Sequence, residues 1–152
     1  MLPPSLLPAV AELVLVRWNS PKKFTIVRTD PVMSYSISTL LTRNLHDVFG
    51  ENDPALRRAA IDEIFIEDCV FYEPRGVYRG RDEIDRGAGA IKATHPDFRY
   101  QPIAGPEESG NGGLVRWVSG PPGEAPAYAG TDFIIARDGW IAAVYLFFDK
   151  LP

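Results

Sequence analysis

Residues 127–149 read AYAGTDFIIARDGWIAAVYLFFD, two strand-like runs that fold back at Arg137-Asp138-Gly139. Asp132 stands in the middle of the first run among apolar neighbours. Because side chains alternate along a strand, Asp132 shares one face with Gly130 and Ile134. A carboxylate on an apolar face must be hydrogen-bonded, paired with a cation or neutralised, since an isolated buried charge is costly. Asp132 is therefore the first candidate site residue. The alternative is that it points to solvent from a half-exposed strand.

The rest of the chain supplies helices and then further strands. The patterns predict helices at residues 34–49, 52–65 and 81–94, strands at 69–74, 98–103 and 113–119, and a turn-rich connection at 74–80. Helices followed by a run of strands are typical of an α+β domain with an antiparallel sheet. A curved sheet closed by helices leaves a conical hollow, which is a natural place for a small-molecule pocket.

Two positions are left with alternatives. Asn44 lies on the inward stripe of the first helix, where a buried amide needs partners. Its partner is either a neighbouring backbone group or a ligand. Arg116 and Trp117 are adjacent on a strand, so that only one of them can face the hollow. If Arg116 faces inward, an ion pair with Asp132 keeps that carboxyl ionised.

Length, charge and cysteine content exclude several classes of protein. A chain of 152 residues fits one domain, for which we take residues 34–152, with residues 1–33 as an N-terminal extension that is poorly ordered or forms a short helix. A net charge of -4 argues against nucleic-acid binding. The single Cys69 and the two histidines argue against a metal centre. Residues 6–16 are apolar, but the segment is too short to cross a bilayer, so we expect no membrane span. We further expect a cytoplasmic protein without a cofactor.

Three stretches carry a resemblance to a known family. They are residues 64–74 (IFIEDCVFYEP), residues 78–84 (YRGRDEI), and GTD at 130–132 with DGWI at 138–141 and FFD at 147–149. On these stretches residues 33–152 resemble the NTF2-like superfamily, in particular its SnoaL-like branch of polyketide cyclases and the ketosteroid isomerases. The resemblance implies a cone-shaped fold, with three helices and a curved antiparallel sheet enclosing a pocket.

The resemblance also implies roles for two acids. Ketosteroid isomerases place a general base directly before a proline at the end of the first strand, where this chain has Glu73-Pro74. Their protonated oxyanion-stabilising acid lies on the penultimate strand, where this chain has Asp132. The tyrosine that they carry on the first helix has no counterpart near Asn44, which argues against a steroid isomerase. Leu146 stands where limonene-epoxide hydrolases, similar in fold, carry a catalytic aspartate, which argues against that reaction.

The remaining site residues follow from the expected faces of the strands. The residues expected to bind a substrate are Asn44, Phe71, Trp117, Tyr128, Val144, Leu146 and Phe148; for Trp117 it is the comparison with the isomerases that favours the inward position. The opposite face of the last strand, with Ile141, Ala143, Tyr145 and Phe147, is expected to form a homodimer interface, as members of the superfamily often pair through this side. Cys69 and His95 are expected to be structural, with His95 at an exposed helix end.

These residues lead to two hypotheses about function. In the first, Glu73 removes a proton next to a carbonyl of a small apolar substrate, and a protonated Asp132 donates a hydrogen bond to the developing enolate. The chain would then be a cofactor-free isomerase or cyclase. In the second, the chain is a non-catalytic ligand-binding or accessory dimerisation module. A pocket much smaller than about 300 Å³ would favour the second hypothesis.

Overall fold

The computed structural model of the protein describes residues 34–152. The expected N-terminal extension, residues 1–33, lies outside the described residues. Within the described range no helix is both long and apolar enough to cross a membrane. The same part of the chain holds no group of three or more His, Cys, Asp and Glu side chains arranged to bind a metal ion.

Three helical segments form one layer of the domain. Helix α1 (Ile37–Arg43) continues as a π-helix (Asn44–Phe49), and α2 (Pro54–Ile64) and α3 (Gly80–Thr94) follow. Asp53 begins α2 as the sequence predicts, since its side chain accepts hydrogen bonds from the backbone N–H groups of Ala55 and Leu56 and Pro54 follows it. The predicted helices are therefore present, although the first changes its winding at Asn44.

Six strands form the second layer. They are β1 (Phe65–Glu73), β2 (Gly76–Arg79), β3 (Arg99–Ser109), β4 (Gly112–Gly120), β5 (Tyr128–Arg137) and β6 (Trp140–Phe148). Their order in the sheet is β2-β1-β6-β5-β4-β3. All neighbouring pairs are antiparallel except β1 and β6, which run parallel. The predicted α+β architecture, three helices with a curved open sheet, is confirmed.

The strand pattern differs from the prediction in three places, one of which is β3, predicted to end at residue 103 but continuing to Ser109. Residues 76–79, predicted to belong to a connection, form β2 and pair with β1 through a two-residue turn. Strand β1 begins at Phe65, which was predicted to end the second helix. The four residues of β2, beside a proline-containing turn, give too few positions for alternation to be read, whereas the other two differences are shifts of a strand boundary.

The hydrophobic core fills most of the space between the helices and the sheet. Fully buried leucine and isoleucine side chains of α1 and α2 pack on β1, β4, β5 and β6. Ile141 belongs to this core, although it was predicted to lie on the outer face of β6. The register between β5 and β6 shifts where Ile135 pairs with Ala143 and Ala136 with Ile141. The extra residue, Ala142, moves Ile141 to the inner face.

Candidate functional site

One end of the hollow between helix α3 and the sheet remains open as a cavity of about 350 Å³. This volume lies within the ordinary range for small-molecule sites, so the core does not plug the hollow. Phenylalanine, tyrosine and tryptophan side chains make up half of its lining residues: Phe49, Phe71, Tyr78, Phe98, Tyr100, Trp117, Tyr128 and Phe148. Tyr128 and Phe148 are 43% and 50% exposed, which places them at the mouth.

Asp132 lines this cavity from β5 and is buried, with 5% of its surface exposed. The indole Nε1–H of Trp117 donates a hydrogen bond to Oδ1 over 3.0 Å, and the Nδ2–H of Asn44 donates one to Oδ2 over 3.3 Å. Burial raises the pKa of Asp132 to about 6, against the opposing effect of these two donors. Asp132 is therefore held in place by neutral groups and titrates near neutral pH.

Trp117, and not Arg116, faces the cavity. Trp117 is 4% exposed, whereas Arg116 points outward from β4 and is exposed. Trp117 pairs with Gly130 across the β4–β5 ladder. A Cβ at Gly130 would lie 2.5 Å from Cζ2 of Trp117, so that the indole occupies the space that any larger residue at position 130 would need. Gly130 thus allows the Trp117 indole to lie flat against β5 and reach the Asp132 carboxyl.

Asn44 is fully buried, and its partner is the Asp132 side chain. This amide stands where α1 passes into its π-helical segment, whose wider turn is common at functional positions. Its Oδ1 atom is buried without a hydrogen-bond partner among the described residues. Asn44 therefore supports Asp132 from behind and does not belong to the cavity wall.

Glu73 lines the same cavity from the end of β1 but is only half-buried. Its Oε2 atom accepts a hydrogen bond from the backbone N–H of Arg75 over 3.1 Å. Within residues 34–152, neither Glu73 nor Asp132 has an arginine or lysine nitrogen within 4.0 Å. The structure thus brings both predicted acids to one cavity in different surroundings, Asp132 in the wall and Glu73 near its opening.

The other predicted substrate-binding residues divide into two groups. Phe71, Trp117, Tyr128, Leu146 and Phe148 line the cavity. Val144 does not: its side chain is fully buried and packs in the core. Alternation along β6 correctly places Val144 on the inner face. The helices, however, fill the hollow next to Val144, so that only residues nearer the end of β6 line the cavity.

Tyr100 on β3 is a lining residue that the sequence reasoning missed. Its ring meets the Trp117 ring edge to face, with 5.0 Å between the centroids. Burial raises the pKa of Tyr100, and the negative charge of Asp132 raises it further. The phenol is therefore a neutral hydrogen-bond donor within the electrostatic reach of Asp132. Tyr100 lies on the same face as Trp117, since Tyr100 pairs with Ser119 and Pro102 with Trp117, but this cross-strand register cannot be read from the alternation of either strand alone.

Lys92 and His95, at the end of α3, also line the cavity. Lys92 could have been found from the sequence, since it follows Ile84 and Ala88 at intervals of four residues and all three are buried. The expectation that His95 forms an exposed helix end is wrong. His95 is half-buried and its ring stacks on that of Phe98, with 4.2 Å between the centroids.

Several solved structures are similar to this one. A candidate isomerase of the SnoaL-like family from Agrobacterium tumefaciens has a TM-score of 0.69 and 23% sequence identity, over 74% of this chain and 96% of that one. A candidate polyketide cyclase from Sinorhizobium meliloti has a TM-score of 0.57 and 22% identity, over 72% and 94%. A candidate ketosteroid isomerase from Kribbella flavida has a TM-score of 0.58 and 17% identity, over 75% and 78%. These identities support a shared fold and nothing finer.

Comparison with the curated proteins gives no match. The model of the SnoaL-like domain matches residues 42–144, which is more than half of the chain. That range begins within α1 and ends within β6, and so includes both acids of the cavity and the π-helical segment that supports Asp132. The NTF2-like resemblance is thereby confirmed, and the chain belongs to the SnoaL-like domain family.

Proposed function

We propose that this protein binds a small, largely apolar carbonyl compound in the cavity and transfers a proton at the carbon next to the carbonyl, as a cofactor-free isomerase or cyclase. The observation that carries the proposal is the Asp132 carboxyl, buried in a mainly apolar wall and held by two N–H donors. A proton-transfer group works best when its pKa lies near the working pH. Burial provides this property here.

The hydrogen bonds favour Asp132 as the base. Both of its partners donate, so both stabilise the carboxylate over the protonated acid. With a pKa of about 6, most Asp132 side chains are ionised at pH 7 and ready to accept a proton. In our proposal Asp132 takes the proton from the α-carbon, and the electron pair of the broken C–H bond moves into the carbonyl to give an enolate. The protonated Asp132 then returns the proton at another position or to a cyclised product.

The developing enolate oxygen needs a donor, and Tyr100 fits this role. Its phenol is neutral, lines the cavity and lies in the field of Asp132. A phenolic donor would stabilise the negative oxygen in a site shielded from water. Glu73, near the opening, is the competing candidate for the base, with Asp132 as a protonated donor. Its contact with the Arg75 amide fits an anchoring role for this carboxylate.

Hydrogen–deuterium exchange at an α-carbon tests the proposal without knowledge of the natural substrate. The probe is 2-tetralone, a small bicyclic ketone, in D₂O, with exchange followed by ¹H NMR against a buffer blank. Asp132→Asn should lower the protein-catalysed exchange rate by about 10²–10⁴-fold, the usual contribution of a general base. Glu73→Gln should lower it by less than about tenfold, and Tyr100→Phe should lower it while leaving the pH midpoint in place.

The two acid assignments predict opposite results for the same pair of variants. An asparagine at position 132 keeps an N–H donor, so it should retain much of the activity if Asp132 serves as a donor and Glu73 as the base. Loss of exchange in Glu73→Gln with activity kept in Asp132→Asn would overturn our assignment. Ketone binding without any exchange would instead support the ligand-binding module, for which the open cavity is equally suitable.

We further propose a homodimer, as the resemblance implies, and a cytoplasmic location, as the composition of the sequence leads us to expect. The support for the dimer is an aromatic outer face, on which Tyr72 and Tyr145 stack with 4.7 Å between their ring centroids and Phe147 is 57% exposed. Light scattering gives the mass in solution. A monomeric mass at micromolar concentrations would exclude the dimer.

A further inference from the structure

Lys92 is a buried cation that forms no ion pair within the described part of the chain, residues 34–152. It is 5% exposed and lies in the last turn of α3, and its Nζ donates one hydrogen bond, to the backbone oxygen of Phe98 over 2.8 Å. Among residues 34–152 no carboxylate oxygen lies within 4.0 Å of Nζ. An ammonium group has three donors, and a single neutral acceptor leaves most of its hydrogen-bonding capacity unused.

The charged groups near Lys92 do not neutralise its positive charge. Asp97 and Glu51 act on Lys92 from beyond ion-pair distance, and Arg99 acts in the opposite sense. Burial lowers the pKa of Lys92, and the distant carboxylates oppose this effect only in part. A buried charge without a partner is destabilising, and a ligand anion would relieve this. The bond to Phe98 and the position at a helix end explain where Lys92 lies, but they do not neutralise it.

Lys92 lines the same cavity as Asp132 and Tyr100. We propose that Lys92 forms an anion subsite, and that the natural ligand has an apolar body with one carboxylate-type group that pairs with this lysine. The apolar body would lie against the aromatic wall. The inference deepens the proposed function by naming the ligand class as a carbonyl compound with an anionic end. His95, adjacent in the cavity wall, would offer a further donor to the same anion.

Paired probes of equal shape test the subsite. 2-Naphthoate and 2-naphthamide differ in charge but scarcely in size, and each would compete with the fluorescent apolar dye N-phenyl-1-naphthylamine. The wild-type protein should bind 2-naphthoate at least about tenfold more tightly than 2-naphthamide. In Lys92→Met this preference should fall by at least about tenfold. Lys150→Met, which removes the same charge at an exposed position, should keep the preference of the wild type.

The outcomes are separable from those of the exchange experiment. Equal wild-type affinities for the two probes would overturn the inference, even if Lys92→Met failed to fold and lost the dye. A naphthoate preference that persists in a dye-binding Lys92→Met variant would also overturn it, because the anion would then lie elsewhere. Loss of 2-tetralone exchange in Asp132→Asn bears on the proton-transfer proposal alone, since 2-tetralone has no charge for Lys92 to recognise.

Discussion

Replacing Asp132 by asparagine should stabilise this protein increasingly as the pH rises. In the folded state burial raises the pKa of Asp132 to about 6, from an ordinary value of 3.8. Below pH 3.8 the carboxyl is protonated in both the folded and the unfolded chain, and burial carries no charge penalty. Above pH 6 it is ionised in both, and the full penalty applies. Asparagine is neutral throughout and of nearly the same shape.

The magnitude follows from the difference between the two pKa values. At about 1.36 kcal/mol for each pH unit, a rise from 3.8 to about 6 corresponds to a penalty of ~3 kcal/mol once the carboxyl is ionised. Between pH 4.5 and pH 8, about two thirds of this penalty develops, or ~2 kcal/mol. The free energy of unfolding of Asp132→Asn minus that of the wild type should therefore grow by ~2 kcal/mol over this range.

The Asn44 side chain determines whether the Asp132→Asn variant can form both hydrogen bonds of the wild type. An asparagine at position 132 can turn its carbonyl oxygen to the indole N–H of Trp117, which leaves its own N–H₂ group facing Asn44. A rotation of the Asn44 amide by 180° would present Oδ1, the atom that lacks a partner in the wild type. Any fixed difference in this packing shifts the stability at every pH equally and does not affect the predicted change with pH.

Urea unfolding monitored by tryptophan fluorescence at pH 4.5, 6 and 8 measures these differences. Asp138→Asn is the matched control, since it makes the same replacement at an exposed turn residue and should show no such trend. A difference between Asp132→Asn and the wild type that stays within ~0.5 kcal/mol across this range would refute the reasoning, because it would show that the carboxyl keeps its water. A decrease would show a cation paired with Asp132.

Two further substitutions test the support of Asp132. Trp117→Phe removes the N–H donor, so the pKa of Asp132 should rise further. The loss of stability should reach ~1.5–3 kcal/mol at pH 8, where the carboxylate needs that donor, and should be smaller at pH 5. Urea unfolding at both pH values measures these losses. A larger loss at pH 5 would contradict this hydrogen bond. Gly130→Ala puts a methyl group 2.5 Å from the Trp117 ring. This should lower the free energy of unfolding by ~1–3 kcal/mol and weaken binding of N-phenyl-1-naphthylamine. Gly76→Ala is the control and should do neither, since no atom lies nearer than 3.8 Å to the added methyl group. Unchanged dye binding in Gly130→Ala would contradict the packing of the indole.

The architecture could be predicted because its signals are local. Asp53-Pro54 begins a helix through hydrogen bonds that span two or three residues, and Asp138-Gly139 provides positive φ angles for the β5–β6 turn. One charge in an apolar alternation identified Asp132 as a candidate, but the alternation left open whether its side chain is buried or points to solvent, and the structure shows that it is buried. The expectations for Ile141 and Val144 did not match the structure, because both depend on contacts with other elements of the fold. Ile141 turns inward through a bulge, and Val144 is covered by helices, whose position over the sheet no strand pattern encodes.

The sequence pointed to both acids of the cavity, but it left the contacts around them open and missed Tyr100 and Lys92. Asp132 could be named as a candidate because it stands inside an apolar run, and Glu73 because Glu73-Pro74 matches the place of the base in the resembling isomerases. Trp117 and Arg116 could not be separated by alternation alone, since adjacent residues satisfy the two possible registers equally. Lys92 was overlooked because lysines on helices usually face water, although its spacing from Ala88 pointed inward.

The central position of β6 has a consequence for synthesis of the chain. The hairpin of β1 and β2 joins the rest of the sheet through β6, where Phe71 pairs with Val144. A nascent polypeptide that has not yet reached residues 140–148 lacks the strand on which this hairpin docks. The sheet is therefore completed late in synthesis, and until then the edge of β1 that pairs with β6 has no partner for its backbone hydrogen bonds.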